Sequence, residues 1–276
     1  MLAGTRGFCA GVRRAVETVE RALAVYDLPV YVRHEIVHNA AVVARLTALG
    51  ARFVAAAEQA PPGSVLLLSA HGVAPDIERD AARHGRRVID ATCPLVKKVH
   101  LEAERLVRQG FEVVVIGHAG HPEVEGTLGR IGPGAHLVAS VEEVGQLQVR
   151  DARRVAYVSQ TTLSVEVVRD LAAAGVDIMI VAGATNSSNA NRLREVAERC
   201  GRPSRLVAGP SELDPAWLSA ARRIGVTAAA STPDSTTHAL IEQLRRWRPV
   251  TVSVLPAVAE PYRFRLPDPF DANAPQ

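Results

Sequence analysis

Apolar and polar positions follow one recurring order along the chain: a short apolar run, a polar loop, then apolar positions three and four apart. The runs at 64–69 (SVLLLS), 111–116 (FEVVVI) and 177–182 (DIMIVA) have little polar interruption. Such runs predict strands buried on both faces, as in parallel sheets. Shorter runs at 30–33, 87–90, 136–138, 155–158 and 225–230 predict further strands, and 250–255 predicts a last edge strand. Helical spacing predicts helices at 12–23, 34–50, 75–84, 95–110, 123–130, 141–147 and 163–174, with two more running up to 200 and 247. No long linker interrupts this order. Three strand ends share a signature, LLLSAHGV, VVVIGHAGHP and IMIVAGATNSS, so the fold class is α/β, built from small parallel-sheet units whose loops face one centre.

Composition narrows the reading. Hydrophobic residues make up 47% of the 276 but aromatics only 4%, so the core is one of Val, Leu, Ile and Ala between strands and helices. The 32 Lys and Arg nearly balance 29 Asp and Glu, with no basic stripe interleaved with aromatics, which excludes a nucleic-acid partner. No apolar run reaches membrane-spanning length and no signal pattern opens the chain, so no membrane partner is expected and the location is cytoplasmic. In that compartment Cys9, Cys93 and Cys200 are not structural disulfides; they are reactive groups, metal ligands or inert.

Candidate chemistry sits in the loops. The loop at 117–126 (GHAGHPEVEG) carries His118, His121, Glu123 and Glu125 at the end of a buried strand, where α/β proteins place ligand sites. Imidazoles there contact anions or titrate near neutrality, and a carboxyl group delivers a proton. Cys9 and Cys93 each lie just before a helix start, a position that stabilises a thiolate and suits metal ligation. Cys200 falls near the end of a helix and reads as inert. The 183–191 loop (GATNSSNAN) offers hydroxyls and amides to an anion, where a helix cap alone needs one such residue. The stretch 34–38 (HEIVH) matches the zinc-protease pattern letter for letter, but its first histidine belongs to a strand end, which argues against that chemistry. Neither a P-loop lysine motif nor GxGxxG is present, so no nucleotide is indicated.

The stretches RGFCAGV, VRHEIVHN, SAHGV, DATCPLVKKVH, GHAGHPEVEGT, QTTLSV, NSSNANRL and GVTAAAS-TPD, in this order, resemble the LytB/IspH family of 4-hydroxy-3-methylbut-2-enyl diphosphate reductases. The resemblance implies three similar α/β domains around a central cavity: 10–93, 94–170, and 175–260 with 1–9, followed by a tail at 261–276. It implies an iron–sulfur cluster (4Fe-4S) with Cys9 and Cys93 as ligands, Glu123 as proton donor and Thr161 positioning the substrate hydroxyl. His38, His71, His121, Ser187, Ser188, Asn189 and Ser231 are implied to contact an allylic diphosphate. A ferredoxin- or flavodoxin-like donor is the implied electron source. The family's third cluster cysteine lies between the QTTLS and NSSN motifs, and here that segment is missing. The alternative is a cluster-free relative that binds a diphosphate without redox activity.

Overall fold

The computed structural model describes residues 1–83, 85–161, 166–256 and 263–270. In chain order its elements are α1 (Ala10–Val25), β1 (Val30–Arg33), α2 (Ala40–Ala48), β2 (Arg52–Val54), β3 (Val65–Leu68), α3 (Pro75–Arg83), β4 (Arg87–Asp90) and α4 (Pro94–Arg108). There follow β5 (Glu112–Ile116), α5 (Pro122–Ile131), β6 (His136–Val138), α6 (Val141–Val144), β7 (Val155–Ser159), α7 (Glu166–Ala173), β8 (Ile178–Ala182), α8 (Ser188–Arg199), β9 (Ser204–Val207), β10 (Ile224–Ala228) and α9 (Asp234–Trp247). The strands form three parallel sheets, ordered β2-β1-β3-β4, β6-β5-β7 and β10-β8-β9. The α/β expectation of three parallel-sheet units is met.

The chain divides into two compact units, one of residues 1–13, 38–42 and 162–263, the other of 14–37, 43–161 and 264–276. The second unit holds two of the sheets. In each, the strand read as fully apolar runs between two others: β3 pairs with β1 and β4, and β5 pairs with β6 and β7. Burial on both faces is why the central strands carry no polar alternation. Val113, Val115, Val124 and Val158 pack with Ala103 and Leu106 of α4 under the β5 sheet. The 264–270 stretch wraps onto this unit: Arg14 Nε donates to the Arg265 carbonyl at 2.6 Å, and Phe270 meets the Tyr26 ring at 5.9 Å between centroids.

In the first unit β8 is central and wholly buried, between β10 and β9. Helix α7 packs Val168 and Leu171 against Met179 and Val181 of β8 and Leu193 and Val196 of α8.

Several expectations change. The helix expected from residue 34 starts only at Ala40; His34 has φ +56°, and the Asn39 side chain caps α2 by accepting from Val42 N at 3.1 Å. The HEIVH stretch is therefore irregular backbone, and its two histidines do not share a helix face. The expected edge strand at 250–255 reduces to an isolated bridge of Val254 with Leu2, itself bridged to Val226. Strands β2 and β9 are additional. The expected helix at 163–174 is seen from Glu166, its first residues lying outside the described ones, as does the last residue of the 75–84 helix.

Candidate functional site

Glu123 is fixed by the architecture at the end of β5. His121 caps α5, its Nδ1 accepting from Glu123 N at 3.2 Å, and Pro122 occupies the first turn, where its missing N–H is no loss. The helix then turns the Glu123 side chain inward, leaving the residue 4% exposed. Its carboxyl group meets Thr161, just past the end of β7. Thr161 N–H donates to Oε1 at 2.5 Å, and the hydroxyl pairs with Oε2 at 3.0 Å. Burial pushes the Glu123 carboxyl up to about 7, overcoming the two Thr161 bonds that pull it down. Near neutrality this acid is therefore poised to release or accept a proton.

His71 lies in the loop after β3, edge-on to His121 with ring centroids 5.6 Å apart and planes at 86°. Close backbone approach holds that loop in place. Gly72 has φ +75°, and a Cβ there would sit 2.6 Å from His100 Cε1 and 3.1 Å from Thr92 Cγ2. From the other side α5 presents Gly126 and Gly129; a Cβ on Gly129 would fall 2.4 Å from Ala74 Cβ. At Gly72 and Gly129 only glycine leaves room for helix and loop to meet, whereas a Cβ on Gly126 would rest 3.4 Å from the Gly72 and Val73 backbone. Arg130 completes the clamp, donating to the Val73 carbonyl at 3.3 Å and pairing with Glu104 at 3.1 Å and Glu78 at 2.5 Å.

Cys93 caps α4, and its N–H donates to the Ala70 carbonyl at 3.0 Å, next to His71. The expectation of a stabilised thiolate fails here. Burial pushes the Cys93 thiol up, and Glu123 adds to the rise, against hydrogen bonds from Leu95 and Val96 N–H groups and the nearby Arg14 charge. Arg14 itself is 6% exposed and donates to the Ala91 and Thr92 carbonyls at 3.2 and 3.0 Å, holding the loop that carries Cys93. Sequence reasoning missed Arg14, Arg130 and His100. His100 is 2% exposed, and burial, assisted by the Arg130 charge, lowers it to about 4, so it stays neutral.

In the first unit, Cys9 N donates to the Ala230 carbonyl at 3.2 Å, at the carboxyl end of β10, immediately before α1. Ser231 hydroxyl donates to the His38 carbonyl at 3.0 Å, bringing two candidate residues together. Ser187 is the cap of α8, its Oγ accepting from Ala190 N at 3.3 Å, with Ser188 and Asn189 opening the helix. One of the polar residues of that loop thus serves as an ordinary cap, its hydroxyl proton still available to a ligand. Cys200, the C-cap of α8, is exposed.

A buried acid near neutrality, set beside two histidines at the carboxyl ends of parallel strands, defines an α/β protein equipped for general-acid chemistry. The chain belongs to the LytB family: the family model described as LytB protein matches residues 1–174 and 166–245. It is 46% identical over 299 positions to the 4-hydroxy-3-methylbut-2-enyl diphosphate reductase of Aromatoleum aromaticum, covering 97% of this chain and 96% of that one. It is 47% identical over 298 positions to "4-hydroxy-3-methylbut-2-enyl diphosphate reductase 1" of Rhodopseudomonas palustris, covering 96% and 97%. The solved structure of the E-1-hydroxy-2-methyl-but-2-enyl-4-diphosphate reductase from Plasmodium falciparum superposes with a TM-score of 0.90 at 32% identity, covering 98% of this chain and 95% of that one.

A gap runs through this likeness. The Aromatoleum alignment spans 299 positions yet takes in only 97% of 276 residues, leaving about thirty positions where the relative has residues and this chain has none. The family match breaks and overlaps at 166–174, which puts the missing segment at α7.

Proposed function

We propose that this chain catalyses the reductive dehydroxylation of 4-hydroxy-3-methylbut-2-enyl diphosphate to isopentenyl and dimethylallyl diphosphate. The supporting observation is the Glu123–Thr161 pair: a buried carboxyl raised to about 7 and held from both oxygens by one residue. In the overall reaction the allylic C–O bond breaks, two electrons and two protons enter, and the hydroxyl leaves as water. Glu123 supplies the proton that turns a poor leaving group into water. Thr161 orients the substrate hydroxyl toward that carboxyl, its own hydroxyl exchanging the Glu123 contact for the substrate. By family resemblance His71 and His121 serve as diphosphate donors, and His38, Ser187, Ser188, Asn189 and Ser231 are polar substrate contacts. The clamp of Gly72, Gly126, Gly129 and Arg130 keeps His71 registered against His121. Fixed donors of this kind stabilise charge without reorganising during the reaction.

The electrons come from a ferredoxin- or flavodoxin-like donor in this reading. The iron–sulfur cluster implied by the family resemblance is matched only in part. Cys9 and Cys93 sit at strand-end loops before helices, but Cys200 ends a helix instead, and the segment that carries the family's third cluster cysteine is missing. As a complete ligand set the cysteines do not fit the group, and no step here is derived through it. Among the described residues no helix is long and apolar enough to cross a membrane.

Replacing Glu123 by Gln keeps the shape and removes the proton. Turnover is expected to fall by roughly 10²–10⁴-fold, the usual worth of a general acid, with substrate affinity changed little. Equal losses in both would remove Glu123 from the proton-donor role.

A further inference from the structure

The three cysteines of this chain are not equivalent, and the geometry of the first unit alone limits how many can serve one metal centre. Cys9 donates its N–H to Ala230, just beyond the carboxyl end of β10, where Ala228 pairs with Ala182 of β8. Cys200 ends the twelve-residue helix α8. That helix starts at the carboxyl end of β8 and runs back about 18 Å at 1.5 Å per residue. From Cys200 the chain enters β9, whose first residue, Ser204, pairs with Met179 near the amino end of β8. The two cysteines therefore sit at opposite ends of the same sheet, separated by nearly the length of β8, about 13 Å for five residues. Every thiolate on one centre must approach its metal to about 2.3 Å. Cys9 and Cys200 cannot both do so, wherever Cys93 lies.

We infer that Cys200 is excluded from any iron–sulfur centre that uses Cys9, so that this chain has at most two thiolates for such a centre, and that iron held there is readily lost. Iron–sulfur clusters are generally anchored by four cysteines, or by two with two histidines on one iron in Rieske centres. Two thiolates are half of that general set and one short of the family's three. The shortfall coincides with the gap of about thirty residues at α7. Helix α7 nevertheless buries Val168 and Leu171 completely. The inference rests on the reductase reading only for the presence of a centre.

The test uses the full chain, purified without oxygen and reconstituted with ferrous iron and sulfide, reading iron, acid-labile sulfide and visible charge-transfer absorption per chain. Cys200→Ser should hold as much iron as the parent, while Cys9→Ser and Cys93→Ser should each lose it. A second variant restores at α7 the segment present in the Aromatoleum aromaticum relative, with circular dichroism confirming that it folds. Under a ferrous chelator the parent should release iron faster than this variant by at least about tenfold, the low end of what even an outer-shell change does to metal affinity. Loss of iron in Cys200→Ser comparable to that in Cys93→Ser would overturn the inference, as would a parent that resists the chelator as well as the restored chain. Iron counts decide the inference and turnover decides the reaction, so the two can fail separately.

Discussion

Glu123→Gln makes a second prediction, independent of substrate. A carboxyl ordinarily near 4.5 sits at about 7 in the folded chain because burial disfavours its charge. The folded state therefore holds this proton more tightly than the unfolded state does. Below about 4.5 both states are protonated and the group costs nothing. As pH rises the unfolded chain releases its proton first, so folding loses stability until the folded carboxyl also ionises near 7. Each tenfold in proton affinity is about 1.4 kcal/mol, so the full cost of keeping Glu123 is roughly 3 kcal/mol above pH 7. Gln copies the protonated acid: its oxygen accepts from Thr161 N–H and its amide donates to the Thr161 hydroxyl. The variant should match the parent within about 0.5 kcal/mol near pH 4.5 and exceed it by about 3 kcal/mol at pH 8. Urea unfolding at intervals between those values, with the slope against denaturant checked for constancy, reads the difference directly. A stability gap that is flat with pH would refute the raised carboxyl, whatever the variant does to turnover.

His100 acts in the opposite direction. Its folded value near 4 lies below the ordinary 6.5, so its contribution is intact above about 6.5 and falls away as pH drops toward 4; His100→Gln should flatten that acid limb in the same unfolding series. Gly129→Val forces a side chain into Ala74, 2.4 Å from the first added carbon, and should cost about 1–3 kcal/mol while raising KM through the displaced His71 loop. Leu171→Ala should cost about 2–5 kcal/mol, because Leu171 is fully buried against β8 and α8 despite the shortened chain; a near-neutral result by thermal unfolding would show that helix to be loosely held.

Legibility in the sequence followed burial. The central strands β3 and β8 were readable because two-sided burial leaves no polar position to confuse the pattern, and β5 because Val113, Val114 and Val115 are buried in succession. Strands β2 and β9 were not, since they are three- and four-residue sheet edges carrying exposed Arg52 and Arg205. Residues 34–39 look helical because Ile36 and Val37 are apolar and buried, but left-handed His34 and the Asn39 cap delay the helix to residue 40. Glu123 and the histidines stood out as polar residues at strand ends, whereas the Glu123–Thr161 pairing crosses 38 positions and entered only through family likeness. Arg14, Arg130 and His100 carry no sequence mark distinguishing a buried polar side chain from a solvated one. The raised Cys93 thiol is the same limit in reverse: the helix start was visible, the burial that outweighs it was not.

Turnover of one substrate by this chain is the most direct test of the proposed reaction. The reconstituted protein, supplied with 4-hydroxy-3-methylbut-2-enyl diphosphate and a chemical reductant without oxygen, should form isopentenyl and dimethylallyl diphosphates at two electrons per product. The rate should fall as pH rises through about 7, where Glu123 loses its proton. Iron-loaded protein that binds the diphosphate and returns it unchanged at every pH would contradict the account.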